Sequence, residues 1–258
     1  MRTGLVSLAV LLAAGHAALA PVCAAAATPP QEETQPSRVA TSAASKKPVI
    51  VLDPAHGGAD PGARGEGLLE KDIVLEMART VRAELERQGY RVVMTRNDDS
   101  NPSYDERAAM ANAYRDSIFI TLHISSTGQP GTARAYFDQA AAAAPPAPGA
   151  ATPNVASPAP PPGLLPWDQA QQTESDASRK LADAIQAHLA QLFPGSAGAA
   201  APAAVRGLRS VAAPAAAIEI ASVSVPKPES LTALAAPLAT ALVRGIAAFR
   251  AVDPNGAK

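Results

Sequence analysis

The sequence predicts an α/β fold: one domain with a twisted, mostly parallel or mixed sheet flanked by helices. Three observations carry this expectation. The runs Pro48-Val49-Ile50-Val51-Leu52 and Ser117-Ile118-Phe119-Ile120-Thr121-Leu122 are almost continuously apolar, as in strands buried on both faces. Ile73, Met77, Val81 and Leu85 recur at every fourth position, the stripe of an amphipathic helix. Segments of the two kinds then alternate, the pattern of βαβ units.

The elements follow in order. After the strand at Val49–Leu52 comes the first helix, whose Glu76, Arg79, Glu86 and Arg87 lie off the apolar stripe and which ends near Gly89. Tyr90–Thr95 is a strand. Tyr104–Arg115 is a second helix, with Ser103 or Asn101 placed to cap it. Strands follow at Ser117–Leu122 and Thr132–Phe137. A long helix over Glu174–Phe193 carries Leu181, Ile185, Leu189 and Leu192. A strand at Ala216–Ile220 and a helix from about Glu229 to Phe249 complete the series.

Composition bounds the rest. The chain has 258 residues, a net charge of −1, 47% hydrophobic residues, and only 4 Phe, 4 Tyr and 1 Trp. About half of the hydrophobic fraction is alanine, which buries little area, so the large residues must be concentrated in one part. No heavily basic face argues for nucleic acid as a partner. A single cysteine, Cys23, excludes a disulfide framework and a cysteine-based zinc finger. Residues 1–27 read as a secretory signal peptide: a basic start, the apolar run Leu5–Leu12, then small residues in Ala-x-Ala spacing. An uncleaved anchor is the alternative, but Gly15, His16 and Pro21 interrupt the run, and no membrane span is expected in the mature chain. Residues 28–45 are a polar, flexible linker. The folded domain is expected over 46–254, with a disordered Ala/Pro-rich insertion at 140–166, where proline excludes helix interior and central strand. The insertion reads as a spacer, with a gate over a cleft as the alternative.

Few residues are candidates for chemistry. His16 lies in the leader, and His188 reads as an ordinary helix residue. His56 and His123 each follow a buried strand, and ligands in open α/β sheets gather beyond the carboxyl ends of strands. A catalytic zinc takes three protein ligands and an open position, and Glu70, opening the first helix after a glycine-rich loop, is the candidate carboxylate to complete the set, with helix capping or dipole complementation by a first-turn acid as the alternative; Glu66 is a weaker rival. Glu219, within Ala216-Ala217-Ile218-Glu219-Ile220, is costly in an apolar strand unless something uses it. The alternative is a Glu on the solvent face of an edge strand.

Val49-Ile50-Val51-Leu52-Asp53-Pro54-Ala55-His56-Gly57-Gly58, then Asp60-Pro61-Gly62-Ala63 and Glu70-Lys71-Asp72, resembles the opening of the zinc-dependent N-acetylmuramoyl-L-alanine amidases of the AmiC/CwlV type (amidase type 3). The resemblance continues through Thr95-Arg96, Glu106-Arg107, Ala111-Asn112 and Phe119–His123, weakens over the insertion, and resumes at Ser178–Ala182 and Ala217–Ile220. It implies a phosphorylase/hydrolase-like fold, Zn2+ held by His56, Glu70 and His123, and Glu219 as the catalytic glutamate. It implies an exported enzyme of the periplasm or cell envelope that cleaves the amide between N-acetylmuramic acid and L-alanine in peptidoglycan, with an activator protein as a candidate partner. Two stretches depart from the family pattern, Ile124-Ser125-Ser126 and Ala221-Ser222-Val223-Ser224-Val225. A catalytically silent wall-binding or regulatory domain, and a zinc carboxypeptidase-like wall peptidase, are the alternative functions.

Overall fold

Ile50, Val51 and Leu52 are fully enclosed because helices cover both faces of the strand they form. Residues 47–139, 165–223 and 229–252 are described, by a computed structural model, and all belong to one compact unit, Ala44–Lys258. The predicted leader, the linker and all of the insertion but Leu165 and Pro166 lie outside them. The strand β1 (Val49–Pro54) is parallel to its neighbours β4 (Arg91–Met94) and β5 (Ser117–Ile124). Next to β5 lies β8 (Ala215–Ala221), also parallel; beyond it β6 (Thr132–Asp138) is antiparallel to β8, and β7 (Ala201–Ala203) is parallel to β6. The order is β4-β1-β5-β8-β6-β7, and β2 (Arg64–Gly65) with β3 (Leu68–Leu69) forms a separate hairpin. The mixed, mostly parallel sheet is as expected.

Alternation along the strands divides the interior. Ile50, Leu52, Ile118, Ile120, Leu122, Ile218 and Ile220 face α1 (Glu70–Arg87), α3 (Ser175–Leu192) and α5 (Ala235–Val252). Val51, Phe119, Ala215 and Ala217 face α2 (Tyr104–Asn112) and the 3-10 turn Arg206–Leu208. The α2 side is covered less completely, and the site opens there. Ser103 begins α2 with a reciprocal pair: its hydroxyl accepts from the Glu106 N–H, and the Glu106 carboxylate accepts from the Ser103 N–H.

Several boundaries differ from expectation. The strand at 117–122 runs on to Ile124, so His123 stands inside β5. The helix from Tyr104 ends at Asn112. A 3-10 helix, Trp167–Glu174, precedes α3, and the final helix is divided into α4 (Glu229–Thr232) and α5. Ala201-Pro202-Ala203 has no strand propensity, and proline restricts it to a sheet edge, where β7 lies. The predicted strand containing Glu219 is internal, between β5 and β6, so Glu219 is not on an edge strand.

The helical stretch Ser230–Val252 is long and apolar enough to cross a membrane by length and composition. Here Leu238, Leu242, Ile246 and Phe249 are enclosed in the core shared with α1 and α3. Gly245 permits this packing: a Cβ there would stand 2.6 Å from Ile185 Cα on α3. Alanine improves helix propensity over glycine by about 1 kcal/mol, but a contact this short with backbone carries an overpacking cost at the upper end of about 1–3 kcal/mol. Gly245→Ala is therefore expected to lower stability by about 1–2 kcal/mol in urea denaturation; an unchanged or higher midpoint contradicts the close-approach argument.

Candidate metal centre

The strand β1 ends in Asp53-Pro54, and two buried arginines secure the turn that follows. Arg107 of α2 reaches the Asp53 carboxylate at 2.5 Å, the carbonyls of Pro54 (3.1 Å) and His56 (2.9 Å), and Asn101 Oδ1 (3.0 Å). Arg96 donates to the carbonyls of Pro54 (2.8 Å), Ala55 (2.9 Å) and Lys71 (2.7 Å). Backbone acceptors that the strand leaves behind are thus satisfied in sequence, and the Thr95 hydroxyl donates to Asp53. Pinned by its carbonyl, His56 adopts φ 63°, a region sparsely populated by residues with a Cβ. Gly57 follows at φ 131°, where a Cβ would stand 2.0 Å from the Ser100 carbonyl oxygen.

The ring of His56 is held from two sides. Nδ1 is 2.8 Å from Asp60 Oδ2, and Nε2 is 3.2 Å from Glu70 Oε2. Asp60 is itself fixed by the Gly62 N–H at Oδ1 (3.1 Å). A carboxylate on one imidazole nitrogen sets the tautomer that leaves the other as a ligand. Glu70 opens α1 but does not cap it; its side chain turns inward. Oε2 accepts from the Ala63 N–H (2.8 Å), while Oε1 accepts from the Ile124 N–H (2.9 Å) and meets His123 Nδ1 at 3.0 Å. Gly62, at φ 65°, makes room: a Cβ there would lie 2.5 Å from Glu70 Oε2 and 2.7 Å from His56 Cδ2.

His56, Glu70 and His123 offer one donor atom each, all within 4.8 Å of one another. Tetrahedral ligands about 2 Å from a zinc ion stand about 3.3 Å apart; the imidazole–carboxylate separations, one to each Glu70 oxygen, are 3.2 Å and 3.0 Å. The donor set, two imidazoles and a buried carboxylate, suits a divalent transition metal. Hydrogen bonding to Glu70 raises the His56 pKa above its ordinary 6.5, against the opposing effect of burial and with help from Asp60. Burial alone would raise Glu70, but hydrogen bonds from His123, His56 and the Ala63 N–H hold it well below the carboxylate range.

Glu219 stands beside this centre. It pairs in register with His123 across β5 and β8 and with Arg134 across β8 and β6, so the three side chains share the α2 face of the sheet. Glu219, His56 and His123 line one cavity of about 840 Å³, floored by Thr121 and Ala217 and walled by Tyr104 and Arg206. Glu219 has no hydrogen bond or ion pair among the described residues. Of the other candidates, Glu66 is exposed in the hairpin turn between β2 and β3, apart from the cluster, and His188 is on α3, across the sheet. His16 lies outside the described residues.

A sequence profile of the family described as N-acetylmuramoyl-L-alanine amidase matches residues 50–248. The chain belongs to that family. Among curated members, the amidase AmiC of Neisseria meningitidis is 44% identical over 86 residues, 33% of this chain and 21% of the relative. The sporulation-specific amidase of Bacillus subtilis is 38% identical over 84 residues, 32% of this chain and 33% of the relative. The matched part thus spans a fifth to a third of these relatives' own lengths. The solved structure of the amidase AmiC2 of Nostoc punctiforme superposes with TM-score 0.57 and 23% identity, covering 80% of this chain and 98% of that one. The amidase CwlD of Clostridioides difficile, solved in complex with the GerS lipoprotein, gives TM-score 0.58 and 21% identity over 80% and 100%. Both show the amidase fold.

Sequence reasoning assigned no role to Asp60, Arg96, Arg107 or Gly62. The one available signal was Asp53, a carboxylate closing an apolar strand that must find a cation.

Two outcomes follow from the geometry. Without metal, the raised His56 pKa contributes stability that is full below its unfolded value near 6.5 and lost as pH rises through the folded value. Glu70 contributes stability present above about 4.5 and lost only on acidification. Metal binding has the opposite dependence, because protons compete for His56. Added zinc is therefore expected to raise the thermal midpoint more at pH 8 than at pH 6; an equal rise contradicts His56 as a ligand. Asp60→Asn is expected to weaken zinc binding by about ten- to a hundredfold, read by competition with a chromogenic chelator.

Proposed function

We propose that the chain is an exported zinc-dependent hydrolase that cleaves the amide between the lactyl group of N-acetylmuramic acid and L-alanine in peptidoglycan. The observation that carries the reading is the unpaired Glu219 carboxylate beside the His56–Glu70–His123 cluster, on one face of the sheet and in one cavity. Membership of the amidase family supports the bond and the substrate.

His56, Glu70 and His123 would hold a zinc ion, which when bound lowers the pKa of a water toward about 7 and polarises an acyl oxygen. Two neutral imidazoles and one carboxylate leave such a centre with a net positive charge, favouring an anionic nucleophile. Glu219 takes the proton of the attacking water and passes it to the departing alanine amine. Its open lone pairs suit that exchange. Asp60 keeps the His56 ring in its ligating orientation, and Arg107 and Arg96 hold the backbone that carries it. The small residues Thr121 and Ala217 leave space for substrate over the sheet.

The test is incubation of the purified chain with muropeptides, with and without a chelator. Release of peptides beginning with L-alanine, abolished by chelation and restored by zinc, is the expected result. Loss of a terminal amino acid would indicate a peptidase instead, and no product from zinc-loaded protein a silent domain. Glu219→Gln is expected to keep its zinc and lower kcat by about 10²–10⁴-fold; a variant with normal turnover removes Glu219 as the proton carrier.

A further inference from the structure

A second, smaller recess of about 350 Å³ adjoins the main cavity on its β6 side. It is lined by Arg134, Ser125, Thr127 and Ser196, and it shares Glu219 and Tyr136 with the main cavity. Arg134 is directly opposite Glu219 in the antiparallel ladder. Opposite charges so placed ordinarily pair. Here they do not: among the described residues Arg134 makes no ion pair or hydrogen bond, and its Nε is enclosed without a partner. A guanidinium carries five donors and no acceptor, so an anion is what this group lacks. With serine and threonine hydroxyls around it, the donor set is that of a carboxylate site, for which arginine offers a two-pronged grip.

The reaction assigns a direction to the two spaces. Glu219 delivers the proton to the leaving amine, so that amine lies at Glu219. The histidines line the main cavity but not the recess, which puts the acyl carbon and the sugar on the main-cavity side. The peptide that begins at the amine then runs past Glu219 toward Arg134. A residue advances the chain by about 3.3–3.6 Å, so the second residue of the peptide arrives about 7 Å beyond the amine, within the span of an arginine side chain on the adjoining strand.

We propose that the recess receives the peptide portion of the substrate and that Arg134 binds a free carboxylate on its second residue. This rests on the amidase reading and adds to it the orientation of the substrate and a determinant of its specificity. Ser125 and Ala221, from the two stretches that depart from the family pattern, line this same recess, which fits a substrate preference particular to this chain.

The test compares L-alanyl-γ-D-glutamyl-L-lysine with its D-isoglutamine counterpart, which replaces the carboxylate in question by a carboxamide. Binding of both peptides to the full chain is measured by calorimetry for the wild type, Arg134→Gln and Arg134→Lys, beside kcat and KM for the corresponding muramoyl peptides. The wild type is expected to bind the free acid about tenfold more tightly than the amide, the order of one charge-assisted hydrogen bond. Arg134→Gln should bring the ratio close to one, and Arg134→Lys should retain part of it. In turnover the change should fall on KM. Equal binding of the two peptides by the wild type, or a ratio unaffected by Arg134→Gln, overturns the proposal. Binding is read without turnover: a chain that discriminates between the peptides yet releases none from muropeptides contradicts the amidase reading alone, and one that hydrolyses without discrimination contradicts only the role of Arg134.

Discussion

The carboxylate of Glu70 is the point on which the site depends. Burying an ionised carboxylate costs several kcal/mol unless it is paired and hydrogen-bonded, and both oxygens of Glu70 have two partners: His123 and the Ile124 N–H on one, His56 and the Ala63 N–H on the other. Those partners come from the turn after β1, the loop before the β2–β3 hairpin and the end of β5, so one side chain at the start of α1 ties three separate segments together. An apolar replacement leaves two backbone N–H groups and two imidazoles without their acceptor. The same crowding demands Gly62, since no side chain fits between Glu70 and His56. The donor atoms of His56, Glu70 and His123 are therefore gathered within 4.8 Å of one another because the fold needs them there.

Alanine, which in bulk composition suggests a thin core, has a specific use in the C-terminal half. On β8, Ala215 and Ala217 face the α2 side while Ala216, Ile218 and Ile220 face the three-helix side. The larger residues fill the side that must be dense, and Ala217, with Thr121, keeps the floor of the cavity low. On α5, Ala239, Ala241 and Gly245 are buried near neighbouring helices, and small residues permit close backbone approach. Substituting bulk on the α2 face of β8 would fill the cavity rather than strengthen the core.

The sheet and its covering helices were legible because they depend on local pattern: continuous apolar strands, a fourfold-spaced helix, a polar capping residue before α2. His56, Glu70 and Glu219 were recognisable for a related reason, since polar groups at strand ends, at a helix start or inside an apolar strand need a cause. Arg96 and Arg107 gave no such signal. Each sits among other charged or polar residues in sequence, and only the fold reveals that their guanidinium groups are buried against the carbonyls of Pro54, Ala55 and His56. Asp60 is likewise one loop acid among several until His56 turns its Nδ1 toward it. The edge strand β7 was invisible because Ala-Pro-Ala has no preference for the extended state; its pairing with β6 is imposed by tertiary structure.

Two acids on the same face of the sheet show how partners decide function. Asp53 and Glu219 both line the cavity, and both stand on strands of the parallel part of the sheet. Arg107 and the Thr95 hydroxyl both donate to Oδ1 of Asp53, which makes it a fixed support for the turn carrying His56. Glu219 has Arg134 directly opposite it on β6, yet the two form no ion pair. In the proposed mechanism a pair with Arg134 would satisfy both groups at the expense of the chemistry, because it would hold the carboxylate away from the proton of a water. Glu219 lines the cavity with Arg134 unpaired beside it among the described residues, so on the proposed reading both groups are left for substrate.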